Sequence, residues 1–405
     1  MFALGSRGHE NPNSIMEYLR EVLTTSQGVP LPLIVALVVS TIVGIAVLFY
    51  LALFIVAPIP RPSLRSEKTF RTIEPGEYSG EARPLPCWQD KYNALKEAAR
   101  RREDSTDTEL HVEDPEVFMS LVVPAFNEEE RLGIMLTEAV EYLQHAYGNE
   151  ASKSQANGNR AKRKDATREI SNGYRESNGR LPGWEILVVS DGSTDKTIDT
   201  ALQFARDLGG KSASCIRVIS LHENRGKGGA VTHGMRHVRG QYAIFADADG
   251  ASKFEDLGKL VRASKKIEDA AGRGVAVGSR AHLVGSEAVV KRSFLRNLLM
   301  HSFHLLLRVL TPPATAAIRD TQCGFKLFSR PSLPHIIPYM HSEGWIFDVE
   351  MLMLAESAGI PVAEVPIGWQ EVKGSKLNVL WDSLGMAWGL AVLRAAWGLG
   401  VYRRS

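Results

Sequence analysis

The sequence predicts an α/β fold with a mostly parallel sheet, carried behind a single N-terminal transmembrane helix and followed by C-terminal amphipathic interfacial helices. Three observations predict it. From Val117 onward, short β-rich runs alternate with segments of helical spacing, the pattern of a parallel sheet with crossover helices. No charged side chain lies between Glu21 and Arg61. The stretch Val379 to Tyr402 is apolar and carries Trp381, Trp388, Trp397 and Tyr402, as helices at a membrane boundary do.

Taken in order, residues 1–32 form a short leading segment, and residues 33–56 make a helix of about 24 residues, roughly 36 Å long and so able to cross a bilayer. The run is too long and lies too far from the N-terminus for a cleaved signal peptide, so it reads as a signal anchor. Arg61, Arg65, Lys68 and Arg71 follow it closely, whereas only Arg7 and Arg20 precede it. That bias places the rest of the chain in the cytosol. Residues 57–116, rich in Pro and charge with a helical candidate at Tyr92 to Arg100, read as a cytosolic tether.

The compact domain, residues 117–373, opens with a strand from Val117 to Val123. A helix follows within Glu128 to Tyr147, its apolar face set by Leu132, Met135, Leu136, Ala139, Val140 and Leu143. Residues 148–183 are Asn-, Ser-, Lys- and Arg-rich and bury too little surface to offset their ordering entropy, so a disordered insertion is expected there. Further strands are expected at Glu185 to Ser190, Cys215 to Leu221, Gln241 to Ala246 and Val275 to Gly278, with helices starting near Lys196, Gly228 and Phe254. Residues 374–405 close the chain as a membrane-interface segment.

Composition excludes some partners. With 405 residues and a formal charge of +2, the chain has no electrostatic footprint for nucleic acid. Cys87, Cys215 and Cys323 are odd in number and scattered, which fits a reducing compartment and neither a disulfide framework nor a metal cluster.

Ligands of parallel sheets gather beyond the carboxyl ends of the strands, and the unusual residues fall in those loops. Asp247 and Asp249 end an apolar run and are separated by one residue. Such paired hard oxygens suit Mg²⁺ or Mn²⁺ beside phosphates, and otherwise are solvated loop carboxylates. Pro124-Ala125-Phe126-Asn127-Glu128 and Asp191-Gly192-Ser193-Thr194-Asp195 follow two successive strands. They serve either to grip a nucleoside, Asp191 accepting from a base N–H and Glu128 from a ribose hydroxyl, or as turn and helix-cap chemistry. Asn224-Arg225-Gly226-Lys227-Gly228-Gly229 precedes a helix and reads as an anion cradle or as a glycine-rich turn.

Together these motifs resemble the inverting glycosyltransferases of family 2, with their GT-A fold. Gly278-Ser279-Arg280-Ala281-His282, Arg319-Asp320-Thr321-Gln322-Cys323-Gly324-Phe325-Lys326, Trp345-Ile346-Phe347-Asp348-Val349-Glu350 and Gly374-Ser375-Lys376-Leu377 are similar, within that family, to the dolichyl-phosphate β-glucosyltransferases of the endoplasmic reticulum. The resemblance implies UDP-glucose as donor and dolichyl phosphate as acceptor, while the charge bias already given makes the N-terminus lumenal. The resemblance also implies donor contacts from Pro124, Ala125, Asn127, Glu128, Asp191, Lys227 and Asp247, and a divalent cation on Asp249 with Asp247 assisting or contacting the ribose. Two anionic substrates then need cations between them, for which Arg280, Arg296, Arg319 and Lys326 are the candidates. Asp320 would orient the acceptor or move a proton. Asp348 and Glu350 would organise the basic groups, or Asp348 would cap a helix.

Two positions depart from relatives: Ser190 stands where many carry an acid or Asn, and Ala251 where related mannosyltransferases carry a Gln metal ligand. A lipid acceptor also needs an apolar landing surface, for which the runs Val289 to Leu310 and Val379 to Tyr402 serve unless they are core helices. The alternatives are a mannosyltransferase using GDP-mannose and a non-catalytic membrane-tethered nucleotide-sugar sensor.

Overall fold

The structure is a computed structural model that describes residues 30–74, 81–101, 112–148, 183–283, 302–303, 305–370, 372 and 379–404. Arg296, the expected insertion apart from its two end residues, the motif at 374–377 and residues 289–301 of the first apolar run lie outside the described residues.

Helix α1 (Leu31–Val56) is long and apolar enough to cross a membrane and is exposed along most of its length, with Leu53 near its end buried. Pro58, Pro60 and Pro62 follow it and cannot continue an α-helix. The described parts of the segment read as a tether, 57–74, 81–101 and 112–116, do not behave as one. Strands β1 (Thr69–Phe70) and β2 (Arg83–Pro84) pair with each other, and Arg71 exchanges both backbone hydrogen bonds with Val218 at 2.8 Å. Ile73, Leu85 and Trp88 are buried in the domain's cores, and Trp88, which opens helix α2 (Trp88–Arg101), donates its indole N–H to Met235 O at 2.7 Å. These apolar residues are isolated rather than periodic, so no helical or strand pattern betrays that the segment packs.

Next come β3 (Val117–Ala125), α3 (Leu132–Tyr147), β4 (Trp184–Asp191), α4 (Thr197–Leu208), β5 (Ile216–Leu221), α5 (Gly226–Met235), β6 (Gly240–Ala246), α6 (Leu257–Ile267), β7 (Val275–Ser279), β8 (Phe325–Ser329), α7 (Phe347–Ser357), β9 (Val362–Pro366) and α8 (Val379–Gly398). The seven strands β3 to β9 form one sheet in the order β5-β4-β3-β6-β8-β7-β9. Strands β5, β4, β3 and β6 are mutually parallel, β8 runs antiparallel to β6 and β7, and β7 pairs parallel with β9. Both faces are covered. Along β3 and β4, Leu121, Val123, Ile186 and Val188 point into one core while Val122, Leu187 and Val189 point into the other, the alternation a pleated strand imposes. Strands β8 and β9 escape the sequence pattern because Lys326 interrupts the first and prolines flank the second.

Helix α8 is packed along one half and exposed along the other. Leu390, Leu393 and Ala396, in its second half, pack with Ala57, Phe303, Leu307, Ile346 and Met353, and the Tyr402 hydroxyl donates to Pro58 O at 2.6 Å. In its first half Trp381 and Trp388 remain 70% and 64% exposed. Leu305, Leu306 and Val309 also face outward.

Candidate active site

The loops leaving β3 and β4 are stitched together. Asn127, at φ 54, is the one non-glycine residue with a left-handed backbone among the described residues, a conformation Asn tolerates better than most. Its side-chain oxygen accepts the Thr194 N–H at 2.8 Å, while its own N–H donates to Ser193 Oγ at 3.2 Å. Glu128 donates its N–H to Thr197 Oγ1 at 2.8 Å, and both of its carboxylate oxygens hold Arg131 at 2.7 Å. Turn chemistry therefore accounts for much of what Asn127 and Glu128 do in the ligand-free chain, and Pro124 and Ala125 supply the strand end beneath them. Asp191 is buried at the end of β4, where it accepts the Arg225 N–H at 2.7 Å. Burial pushes its carboxyl up to about 6 against the opposing pull of the Arg225 and Gly226 N–H groups.

The glycine-rich run at the start of α5 is packed, not open. A side chain on Gly228 would come within 2.6 Å of Phe347 Cβ. Its two cations have different duties. Arg225 is buried and donates to Arg61 O at 2.7 Å, Pro62 O at 2.9 Å and Glu67 Oε2 at 2.6 Å, so it fastens the segment that follows α1. Lys227 instead reaches Asp247, with Nζ 2.6 Å from Oδ1.

Asp247 and Asp249 lie just past the end of β6. Gly324 backs onto the Asp247 carboxylate so closely that any Cβ there would collide with it. Asp249 accepts the Ala251 N–H at 3.0 Å, and burial together with the neighbouring Asp247 pushes its carboxyl above the ordinary range. Among the described residues no three His, Cys, Asp or Glu side chains converge as a ready-made metal cage. The donor set nonetheless fits Mg²⁺ or Mn²⁺ of the kind bound by one or two carboxylates with substrate phosphates completing the shell. Asp249, disfavoured as an anion beside Asp247, is the group that a cation would relieve.

Across the Asp247–Gly324 contact lies a second ion pair. Arg280 donates from Nε to Asp320 Oδ2 at 2.7 Å and from Nη2 to Oδ1 at 2.9 Å, with its backbone N–H on the same carboxylate at 2.8 Å. Burial opposes both charges, yet the pairing prevails: Arg280 is raised and the Asp320 carboxyl is held below the usual range. Asp247 also helps to raise Arg280, so the two acid groups and the guanidinium share one field. Glu364 on β9 receives the backbone N–H groups of Arg319 and Asp320, leaving the Arg319 side chain exposed.

Lys326 is not where the acceptor-phosphate assignment requires. It is wholly buried in β8, donates to Thr321 O at 2.8 Å and pairs with Asp348 beneath the site. An ammonium so enclosed cannot meet a substrate, and its part is structural. Asp348 serves that pair from the first turn of α7, whose N-cap position is Ile346. Glu350 receives the His341 and Ser342 N–H groups at 3.0 and 2.7 Å and the Trp397 indole N–H at 3.4 Å, tying α8 to the loop before α7. Residues that sequence reasoning missed are Glu364 and Trp369, whose ring centroid lies 5.7 Å from the Arg280 guanidinium. Both sit on or just after β9, the strand that the pattern did not reveal.

Comparison with known proteins follows the same outline. The family model "Glycosyl transferase family 2" matches residues 163–317, while β3 and α3, which precede that match, belong to the same sheet and core. The dolichyl-phosphate β-glucosyltransferase of Saccharomyces cerevisiae is 38% identical over 394 residues, covering 96% of this chain and 98% of its own. The protein of the same name from Homo sapiens is 38% identical over 292 residues, 72% of this chain and 79% of its own. Among solved structures, glucosyl-3-phosphoglycerate synthase of Mycobacterium tuberculosis with uridine diphosphate superposes with a TM-score of 0.44 at 17% identity, covering 69% of this chain and 80% of that one.

Proposed function

The chain belongs to the dolichyl-phosphate β-glucosyltransferases of glycosyltransferase family 2, and from that premise we propose that it transfers glucose from UDP-glucose to dolichyl phosphate with inversion at the anomeric carbon. The products are dolichyl β-D-glucosyl phosphate and UDP. The observation that carries the reading is the contact of Gly324 with Asp247. It seats the loop bearing Asp320, and through Asp320 the guanidinium of Arg280, beside the acid pair.

In this reading Asp191 accepts a base N–H, and the stitched loops of Asn127 and Glu128 shape the nucleoside side of the site. Asp249 and Asp247 would hold a Mg²⁺ or Mn²⁺ ion, which when bound neutralises charge on the departing diphosphate. Lys227, already on Asp247, adds a positive charge to that side. Arg280 and the exposed Arg319 receive the acceptor phosphate, with Arg296 a further candidate from the sequence. A phosphate monoester has a second pKa near about 6 and is largely dianionic at neutral pH, so its oxygen attacks without a general base. Asp320, committed to Arg280 by both oxygens, orients that cation and takes no proton.

Helix α1 anchors the chain in the endoplasmic reticulum membrane with the sheet on the cytosolic side, following the cations after the span. Trp381, Trp388 and the outward leucines of 305–310 then rest at the lipid surface, where aromatic and apolar side chains are favoured. This keeps the acceptor's long hydrocarbon tail in lipid while its phosphate reaches the protein.

The test offers the purified full chain Mg²⁺ or Mn²⁺, dolichyl phosphate and radiolabelled UDP-glucose or GDP-mannose. Label is expected in the organic phase from UDP-glucose alone. Transfer from GDP-mannose instead would make the protein a mannosyltransferase, and donor binding without transfer would make it a sensor.

The Asp191 assignment predicts a pH dependence. Because the folded carboxyl titrates near about 6, above its unfolded value, its proton favours folding at low pH and that contribution is lost as pH rises through about 6. Donor binding runs the other way, since a base N–H needs the ionised acceptor. Each phosphorus of UDP-glucose carries one ester and one anhydride link, leaving no second ionisation to titrate in this window. Its Kd should therefore rise about tenfold per pH unit below about 6 in the unmodified chain and stay level in Asp191→Asn. Titration calorimetry showing a flat Kd down to about pH 5 in the unmodified chain would remove Asp191 from the nucleoside contact.

A further inference from the structure

We propose that Trp369 is a positioning residue for transfer: it fixes the Arg280 guanidinium relative to the acid pair, a role that rests on the acceptor reading of Arg280 given above. Asp320 grips Arg280 along one edge, through Nε and Nη2. In-plane hydrogen bonds of that kind set where the fork points but leave the plate free to tilt out of plane. The Arg280 guanidinium lies over the Trp369 ring, 5.7 Å from Cζ to ring centroid, within the range of a cation–π contact. The fork and the aromatic contact together give the guanidinium two separate restraints.

What makes this more than local packing is where the segment holding Trp369 is tied. Gln370 N–H donates to Ala251 O at 2.9 Å and Lys253 N–H to Gly368 O at 3.0 Å, so Trp369 is bridged to Ser252, three positions beyond Asp249. On the other side, Ile367 N–H donates to Ser279 O at 3.1 Å, next to Arg280, and Glu364 receives the Asp320 N–H at 3.0 Å. One stretch of chain, from Glu364 to Gln370, thus holds the loop of the donor acids and both members of the Arg280–Asp320 pair. Trp369 is a side chain in that stretch whose ring lies beneath the guanidinium. It transmits the spacing between the leaving diphosphate and the incoming phosphate, which a displacement reaction requires to be set closely.

The experiment compares Trp369→Leu and Trp369→Phe in the full chain and repeats Trp369→Leu in an Arg280→Ala background, reading the acceptor KM and the UDP-glucose Kd. Trp369→Leu should raise the KM for dolichyl phosphate about fivefold, from loss of the cation–π contact, with the donor Kd unchanged. Trp369→Phe, which keeps an aromatic face, should recover most of that loss. In the Arg280→Ala background Trp369→Leu should add nothing further, because its effect passes through Arg280. A parallel loss of donor affinity, or the same increment with Arg280 absent, would overturn the positioning role. The two readings fail separately: an unchanged acceptor KM in Arg280→Ala defeats the acceptor assignment, whereas a damaged Arg280→Ala beside a normal Trp369→Leu defeats only the role of Trp369.

Discussion

Asp249→Asn should abolish glucose transfer, lowering turnover by about a thousandfold or more, the scale of removing a principal electrostatic contact to a developing charge. The substitution preserves shape, and the amide oxygen can still accept the Ala251 N–H that Asp249 now accepts. Burial and the adjacent Asp247 already disfavour the Asp249 anion, so losing its charge removes a repulsion and the folded state should be no less stable. The signature is thus a dead enzyme with an unmoved or slightly raised Tm and lost Mn²⁺ affinity, checked by product assay, thermal denaturation and titration calorimetry. Full turnover in Asp249→Asn would take the cation away from this pair. A large fall in Tm would show that Asp249 is instead a structural carboxylate.

The sheet and the acid pair were legible in the sequence for a common physical reason. A parallel strand buried on both faces reads as an unbroken apolar run, and the residues that break its end abruptly, such as Asp191 and Asp247, mark the ligand edge. What stayed hidden depends on partners distant in the chain. Lys326 and Arg280 look alike as cations beside a motif, yet Lys326 is enclosed in β8 against Asp348 while Arg280 lies at the edge, a third exposed along its side chain. Likewise Arg225 and Lys227 share one glycine-rich run. Only the fold shows that the first clasps Glu67 and the segment after α1, while the second meets Asp247. Trp369 carries no local signal at all, since its meaning comes from Arg280 and Ser252, which precede it by most of a domain half. The packing of 61–74 and 81–101 was missed because single apolar residues spaced by prolines and charges have no period to detect.

The central claim is that the donor acids and an acceptor guanidinium meet at one edge of the sheet but act on different substrates. The measurement that tests it most directly reads the acceptor KM and the UDP-glucose Kd of Arg280→Ala side by side, with Arg280→Lys as a control for folding because it keeps a cation beside Asp320. A charge-assisted contact to phosphate is worth about 1.5–3 kcal/mol, so the KM for dolichyl phosphate should rise by about tenfold or more in Arg280→Ala. In Arg280→Lys it should rise less, since an ammonium cannot offer the two-pronged fork. The account predicts that UDP-glucose affinity stays the same in both variants. Equal losses of donor and acceptor binding, or an acceptor KM that does not move, would contradict it.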